Sequence, residues 1–214
     1  MADLGEDEGD VEVVSRETVF SGYFRVDQYR LRHRLFAGGW SDTAGREVFE
    51  RGHAVAVILY DPDRDVLVLI EQFRIGAFAA LQTEPHLAGT MTPWLLEVVA
   101  GIIDEGEAPE TVARREAMEE AGCEILELEP VCRFLLSPGV MTESLALFCG
   151  RVDAAGVGGI HGLEHEHEDI RVLAVPVEDA LRWLDEGRFV NATALVAMLW
   201  FRLNREDLRR RWRS

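Results

Sequence analysis

The chain has 214 residues, of which 48% are apolar, and a formal net charge of −17. It is long enough to bury a sizeable core, and its charge disfavours nonspecific attraction to nucleic-acid phosphates. All 22 basic residues are arginines, so a P-loop lysine, a Schiff-base lysine and a lysine general base are excluded together. An acidic protein with an acidic substrate needs a cation to screen the repulsion, which favours a carboxylate-held metal.

The cysteines and the lack of long apolar runs predict a reducing, aqueous environment. Cys123, Cys132 and Cys149 lie among apolar neighbours without the C-x-x-C spacing of zinc or redox sites, so we expect reduced core residues. No charged-then-apolar leader opens the chain, and no apolar run reaches the roughly 18 residues of a membrane span. We therefore expect a soluble, cytoplasmic protein without a membrane partner.

The N-terminal part predicts a tail followed by a small antiparallel sheet. Residues 1–10 are acidic and poor in apolar side chains, which is typical of a flexible tail. Short β-prone runs from Val11 to about Phe49 predict the sheet, and Gly38–Gly45 predicts a turn. We expect the sheet domain to span 11–50 and a second domain to span 51–214.

The sequence of the second domain predicts alternating strands and helices, which is an α/β pattern. Gly52–Leu59 is a continuous apolar strand, and Val66–Glu71 is its hairpin partner. Residues 79–92 contain Pro85 and Gly89 without a clear period, which predicts a long loop. Further strands are predicted near Trp94–Val99, Val131–Leu136, Leu145–Val152 and Ile170–Val175, a loop over Gly156–Asp169, and helices over Val177–Glu186 and from Asn191 to about Arg202 or beyond.

A helix between Glu107 and Gly122 carries a cluster of carboxylates. Pro109 suits its first position and Gly122 suits a left-handed cap. Glu116, Glu119 and Glu120 stand at i, i+3 and i+4, which places three carboxylates on one face. By itself this cluster is compatible with an ordinary solvated face and with an oxygen-ligated Mg²⁺ or Mn²⁺ site.

The string from Gly101 to Cys123 decides between these alternatives. It matches G-x5-E-x7-R-E-U-x-E-E-x-G-U, where U is apolar, in all seven fixed letters. With usages of about 7% per letter, seven matches arise by chance on the order of 10⁻⁸ per start position. The string resembles the Nudix box; Ala117 and Cys123 are small members of the apolar class, which bears on packing and leaves the ligands intact.

The Nudix resemblance implies a fold and a metal site. The implied fold is a mixed sheet between helices, with the box in a loop–helix–loop. The implied ligands of Mg²⁺, or alternatively Mn²⁺, are Glu116, Glu120 and the backbone carbonyl of Ala100. Glu119 is a second candidate, as a ligand or a catalytic carboxylate. The supporting residues are Gly101, Glu107 and Arg115, of which Glu107 and Arg115 would orient the carboxylates and helix ends through hydrogen bonds.

The rest of the chain resembles the bacterial ADP-ribose pyrophosphatases of that family. The strings that carry this resemblance are Arg46–His53, Leu69–Ile75, Pro93–Ala100, Ser137–Gly139 with Glu143, Gly159–Leu163 and Glu166–Ile170. Pro138 lies sixteen residues beyond Gly122, near the distance that marks this subgroup. The implied reaction is hydrolysis of ADP-ribose to AMP and ribose 5-phosphate.

The acidic loop has three competing interpretations. By the resemblance, Glu166 is the general base for the attacking water and Glu168 completes the metal shell. Alternatively, the loop is merely solvated, or His161, His165 and His167 form a zinc site with its carboxylates.

The resemblance also implies substrate contacts and a homodimer. Tyr23 and Arg46 would hold the adenine, Arg74 a phosphate and Glu143 the terminal ribose. Three of these have a plain structural alternative: sheet core for Tyr23, a surface charge for Arg46 and simple exposure for Glu143. The N-terminal sheet would be exchanged between subunits, so that each site uses residues of both.

The sequence is also compatible with other functions. The box does not distinguish ADP-ribose from a nucleotide sugar, NADH or a dinucleoside polyphosphate. A module that binds ADP-ribose without cleaving it is a different class, expected to lose box carboxylates. The Arg209–Arg213 tail could contact nucleic acid, but a basic helix end that complements the helix dipole is the favoured interpretation.

Overall fold

A computed structural model describes residues 9–163, 165 and 167–213. Its chain forms two compact units, one of residues 9–53 with 135–143 and the other of residues 54–134 with 144–213. Most of the predicted tail, residues 1–8, lies outside the described residues.

The first unit is built on an antiparallel sheet of order β1-β2-β3, as predicted. Its strands are β1 (Val11–Ser21), β2 (Arg25–His33) and β3 (Ala44–Glu50). The separate runs predicted near the N-terminus form one strand, β1, whose register shifts mark bulges. The turn predicted over Gly38–Gly45 is wrong at its end, because β3 begins at Ala44 and Gly45 pairs with Arg30. Pairing with β2 overrides the low strand propensity of glycine.

The segment 135–143 joins the first unit through a turn. Val140 N and Met141 N both donate to Ser137 O, at 3.0 and 2.9 Å, which closes the Ser137-Pro138-Gly139 turn. Phe49 N then donates to Val140 O at 2.8 Å, so the turn is attached to β3. A cavity of about 290 Å³ lies beside it, lined by Tyr29, Leu31, Val48, Pro138, Gly139, Val140, Met141 and Thr142.

The second unit contains a mixed sheet of order β10-β11-β5-β4-β9-β8, with β6 on β5 and β7 on β4. Strand β4 runs parallel to β9 and antiparallel to β5. The strands are β4 (His53–Asp61), β5 (Val66–Phe73), β6 (Trp94–Glu97), β7 (Val99–Ile103), β8 (Glu127–Leu135), β9 (Ser144–Arg151), β10 (Gly159–His161) and β11 (Ile170–Pro176). The helices are α1 (Ile75–Thr83), α2 (Pro109–Ala121), α3 (Val177–Asp185) and α4 (Ala192–Trp212), with a short 3-10 helix at Pro85–Gly89.

Strand β4 is buried on both faces, because helices cover both sides of the sheet. Its residues Val55, Val57 and Leu59 belong to one apolar cluster with Val112, Ala113, Ala117 and Ala121 of α2. On the opposite face, Tyr60 meets Phe201 of α4 with ring centroids 4.9 Å apart. The predicted mixed sheet between helices is therefore confirmed. The small residues of α2 let the helix approach the sheet closely.

Both ends of α2 and the start of α4 have the predicted caps. Pro109 opens α2, and Gly122 ends it with φ 63°, in the left-handed conformation that glycine adopts at little cost. Asn191 caps α4 by accepting a 2.7 Å hydrogen bond from Ala194 N.

Several predicted elements are corrected by the structure. The long loop predicted over 79–92 is wrong: α1 and the 3-10 helix occupy most of it, because an alanine-rich run favours a helix and Pro85 begins a new turn. The strand predicted over Trp94–Val99 is two strands with different partners, β6 on β5 and β7 on β4. The loop predicted over Gly156–Asp169 contains β10. The closing helix extends to Trp212, in agreement with the prediction of about Arg202 or beyond.

The cysteine prediction holds for two of three residues. Cys123 and Cys149 are buried, but Cys132 is exposed, so its assignment to the core is wrong. Cys132 lies on β8, which ends the sheet order and leaves most of its side chains open to solvent. Among the described residues, no helix is both long and apolar enough to cross a bilayer.

Candidate active site

The backbone of β7 lies directly against the carboxylates of α2. Glu120 is only 3% exposed, and its Oε2 accepts a 3.0 Å hydrogen bond from Ala100 N. Glu116 packs against Gly101 so closely that a Cβ built there would stand 1.9 Å from Glu116 Oε1. The structure thus brings Ala100, Gly101, Glu116 and Glu120 together, because α2 docks on β7 through its small residues.

These buried carboxylates have strongly raised pKa values. Burial raises the pKa of Glu116 to about 7; Arg115 opposes this rise, and Glu119 and Glu168 add to it. Burial raises the pKa of Glu120 to about 8; the Ala100 N–H and Arg74 oppose this rise, and Glu116 and Glu168 add to it. Several negative groups therefore share one poorly solvated region, and a divalent cation would relieve their repulsion.

Arg115 holds the outer part of the cluster. Its Nη1 lies 2.9 Å from Glu116 Oε1 and 2.9 Å from Glu119 Oε2, and its Nη2 lies 3.6 Å from Glu107 Oε2. Glu107 Oε2 also accepts from Asp104 N at 3.2 Å, which closes the turn before α2. The carboxylates of Glu107, Glu116 and Glu119 are thus grouped around the Arg115 guanidinium group, which offsets part of their negative charge.

The acidic loop returns to this cluster at both of its described ends. Gly162 N donates to Glu119 O at 3.3 Å, at the C-terminal part of α2. Glu168 Oε2 accepts from Leu163 N at 3.1 Å, and Glu168 acts electrostatically on Glu116 and Glu120. The predicted general base, Glu166, lies outside the described residues.

His161 takes part in packing rather than in a metal cluster. Its Nε2 lies 3.0 Å from Gly158 O, and its ring leaves room only for glycine at position 122, where a Cβ would stand 2.8 Å from Cε1. In the part of the chain that the structure describes, no three His, Cys, Asp or Glu side chains already converge as a metal-binding group. The zinc alternative therefore gains no support from His161, His165 and His167.

The carboxylates of Glu116, Glu120 and Glu168 fit a hard divalent cation if some of their present contacts with protein donors are replaced by contacts with the metal. Glu116 faces Arg115, Glu120 faces Ala100 N and Glu168 faces Leu163 N, so each carboxylate has an oxygen near a protein donor. Carboxylate oxygens and backbone carbonyls are the ligands that Mg²⁺ and Mn²⁺ prefer. Each carboxylate has a second oxygen, so ligation would not require every protein contact to be lost.

Arg74 lies at the end of β5 and at the start of α1, beside a carboxylate that the sequence did not reveal. Its Nη2 lies 2.7 Å from Glu97 Oε2, and its Nε lies 3.0 Å from the same oxygen. Glu97 is buried in β6 and also accepts from Gln72 and Asn191. The available signal was a lone carboxylate within the otherwise apolar run Trp94–Val99.

The other predicted substrate contacts lie in the first unit. Tyr23 is 87% exposed and touches Phe24 edge-on at 4.6 Å, so it is not part of a sheet core. Arg46 is exposed, with Nη1 donating to Gly45 O at 2.8 Å. Glu143 is not exposed: it is buried 3.5 Å from Arg51 Nη1, and burial raises its pKa while Arg51 and His53 oppose the rise. Sequence reasoning missed Arg51.

The basic end of α4 is paired with carboxylates. Arg209 Nη1 lies 3.2 Å from Asp65 Oδ2, Arg210 Nη2 lies 2.7 Å from Asp207 Oδ1, and Arg211 contacts Asp207 and Glu129. These pairs offset the positive charge at this helix end. The nucleic-acid interpretation of the tail therefore gains no support.

Residues 50–196 match the model of the NUDIX domain, which is more than half of the chain. The chain belongs to the Nudix family. This Nudix chain is 48% identical to an ADP-ribose pyrophosphatase of Escherichia coli (strain K12) over 203 residues, covering 95% of the chain and 93% of that protein. It is 42% identical to an ADP-ribose pyrophosphatase of Haemophilus influenzae over 204 residues, covering 95% of the chain and 91% of that protein.

This Nudix chain is also similar, at lower sequence identity, to one further relative and to one solved structure. A GDP-mannose pyrophosphatase of Enterobacter sp. (strain 638) is 32% identical over 160 residues, covering 74% of the chain and 78% of that protein. The crystal structure of an ADP compounds hydrolase matches with a TM-score of 0.67 at 20% identity, covering 98% of the chain and 100% of its own. That structure supports the fold alone.

Proposed function

We propose that this Nudix chain hydrolyses the diphosphate bond of ADP-ribose to AMP and ribose 5-phosphate. The relatives at 48% and 42% identity are named for ADP-ribose, and they align along nearly the whole chain. The observation that carries the proposal is the buried pair Glu116 and Glu120, packed on β7 with Arg74 and Glu168 within electrostatic reach. Such a site suits a substrate with two adjacent phosphates.

Glu116, Glu120, Glu168 and the carbonyl of Ala100 would hold Mg²⁺, with Mn²⁺ as the alternative. The metal would neutralise the diphosphate oxygens and lower the pKa of the attacking water. Gly101 leaves the space that the Glu116 carboxylate needs. Buried carboxylates that repel one another support this assignment, since a cation is what stabilises their ionised form.

The remaining residues of the site would bind the phosphates and move a proton. Arg74 would contact diphosphate oxygens with its guanidinium group, which is matched to planar recognition of phosphate. Glu166 would accept the proton of the attacking water. Arg115, with Glu107, would orient Glu116, and Glu119 would serve as a secondary ligand or catalytic carboxylate.

The N-terminal sheet of residues 11–50 would bind the substrate ends and form a homodimer with a second copy, whereas residues 51–214 would form the catalytic domain. Tyr23 and Arg46 have exposed side chains that could stack on an adenine. Glu143 would accept from the terminal ribose with an oxygen that Arg51 does not occupy. All residues of β1 are exposed, which supports a partner for this sheet. The free cysteines fit a cytoplasmic location.

Product analysis by anion-exchange chromatography tests the proposal. The protein is incubated with ADP-ribose, ADP-glucose, GDP-mannose, NADH and diadenosine polyphosphates, with Mg²⁺ and with chelator. We expect AMP and ribose 5-phosphate, formed fastest from ADP-ribose and only with metal. Faster cleavage of GDP-mannose would move the assignment to a nucleotide-sugar hydrolase, and binding without any cleavage would favour a non-catalytic module.

A pair of variants of α2 tests the metal ligands. Glu120→Gln removes a ligand charge at nearly constant shape, so we expect turnover to fall by at least about 100-fold. Glu110→Gln changes an exposed carboxylate in the first turn of the same helix and should keep the wild-type rate. Full activity of Glu120→Gln would contradict the ligand assignment.

A further inference from the structure

Glu97 is a buried carboxylate with a specific set of partners. It is 7% exposed and is the last residue of β6, where it pairs with Ile70 of β5. A buried charge is costly unless it is paired and hydrogen-bonded. Here the pairing comes from Arg74 and the amides of Gln72 and Asn191.

The two oxygens of Glu97 have different partners. Oε2 faces Arg74 Nη2 at 2.7 Å, Arg74 Nε at 3.0 Å and Gln72 Nε2 at 3.3 Å. Oε1 accepts from Asn191 Nδ2 at 2.7 Å. Because both oxygens are occupied, the carboxylate plane is held, and with it the edge of the Arg74 guanidinium group that lies against it.

The backbone fixes the other end of Arg74. Its N–H donates to Pro93 O at 2.8 Å, and its carbonyl accepts from Phe78 N at 3.1 Å in the first turn of α1. The side chain is nevertheless 44% exposed, so it can reach a ligand. Arg74 is therefore held at its backbone and along one edge of its head group.

The same head group interacts electrostatically with two carboxylates of the proposed metal site, Glu120 and Glu168. Burial opposes the charge of Arg74, but Glu97, Glu120 and Glu168 outweigh this effect and raise its pKa. A guanidinium group presents five N–H donors in a planar fork. With Nε and Nη2 directed at Glu97, the opposite edge is the one that can meet phosphate oxygens.

We propose that Glu97 is a positioning residue, which holds Arg74 by one guanidinium edge so that the other edge meets the diphosphate of the substrate. The inference rests on the proposed function, because it takes Arg74 as the phosphate-binding residue. Glu97 does not touch the reacting atoms. It acts through Arg74 on substrate binding and, through Asn191, on the start of α4.

The two contacts of Glu97 can be separated by substitution. In Glu97→Gln, the side-chain NH₂ group must face either Arg74 or Asn191. Both of these residues already donate to position 97, so one donor would face another donor. Asn191→Asp supplies an acceptor for that amide and still caps α4, because aspartate is also a good N-cap residue. The double variant Glu97→Gln/Asn191→Asp therefore restores the contact with α4 while leaving Arg74 against a neutral carbonyl.

The experiment measures KM and kcat for ADP-ribose with Mg²⁺, together with the Tm of each variant. We expect Glu97→Gln to raise KM by about tenfold with kcat within about threefold, since a charge-assisted contact that fixes Arg74 is lost. Glu97→Gln/Asn191→Asp should recover most of the Tm while KM stays raised. A KM that recovers together with the Tm would overturn the proposal and leave Glu97 a purely structural role.

A double-mutant cycle with Arg74→Ala gives the decisive comparison. If Glu97 acts through Arg74, Glu97→Gln adds no further increase in KM once Arg74 is alanine. An equal increase in both backgrounds would overturn the proposal.

Calorimetric binding of ADP with Mg²⁺ gives a readout that does not depend on turnover. Coupling between positions 74 and 97 in ADP binding would uphold the positioning role even if the wild type cleaved none of the substrates, in which case only the proposed function would fail. Cleavage of ADP-ribose with independent effects at the two positions would leave the function intact and refute the positioning role.

Discussion

Gly101→Ala should displace the Glu116 carboxylate, the proposed metal ligand, while leaving the Glu116 side chain itself unchanged. A Cβ at this position would stand 1.9 Å from Glu116 Oε1, 2.1 Å from its Cδ and 2.5 Å from its Cγ. An ordinary contact begins at 3.4 Å, so Oε1 must retreat by about 1.5 Å. Mg²⁺ demands near-ideal octahedral geometry with oxygens at about 2.0–2.1 Å. A carboxylate displaced by this much cannot ligate it.

We expect Gly101→Ala to lower kcat/KM by about 10- to 100-fold and to raise the Mg²⁺ concentration required for half-maximal rate. The assay is a Mg²⁺ titration of ADP-ribose hydrolysis, with the Tm measured in parallel. Overpacking should cost about 1–3 kcal/mol of stability. Gly89→Ala is the matched control, because nothing lies within 4 Å of a Cβ at that position.

A wild-type Mg²⁺ requirement in folded Gly101→Ala would contradict the assignment of Glu116 as a metal ligand. Glu116→Gln provides an independent check if the alanine variant folds poorly. It should also raise the Mg²⁺ requirement, and the combined variant should be little worse than the more severe single one, because both changes remove the same ligand.

Three further predictions concern pH, cysteine reactivity and helix capping. Burial raises the pKa of Glu116 from 4.5 to about 7 and that of Glu120 from 4.5 to about 8. Between pH 4.5 and about 8 the metal-free folded chain therefore binds more protons than the unfolded chain, and its stability falls as the pH rises through this range. In the proposed site Mg²⁺ is held by the ionised carboxylates, so it should raise Tm more at about pH 8.5 than at about pH 5; equal shifts in a thermal melt would contradict this. Exposed Cys132 should react with a thiol reagent well before buried Cys123, whose pKa burial raises to about 11; mass spectrometry after partial labelling would reveal the opposite order. Asn191→Ala should lower the free energy of unfolding by about 1–2 kcal/mol in urea titrations, and an unchanged midpoint would argue against the cap.

The sequence by itself determined those features that depend only on residues close together along the chain. The carboxylate face of α2 follows from spacings of three and four residues, and its ends follow from Pro109 and Gly122. The cap at Asn191 depends on a residue three positions away. The seven fixed letters of the box identified the family for the same reason, since they lie within 22 residues of Gly101.

Tertiary structure decided the features that depend on distant partners. The split of 94–103 into β6 and β7 depends on which strands they pair with, and the exposure of Cys132 depends on β8 lying at the end of the sheet order. The raised pKa of Glu120 requires burial against β7. Glu97 finds Arg74 at a separation of 23 residues and Asn191 at 94. No local pattern encodes such contacts, because they exist only once the strands and α4 have packed.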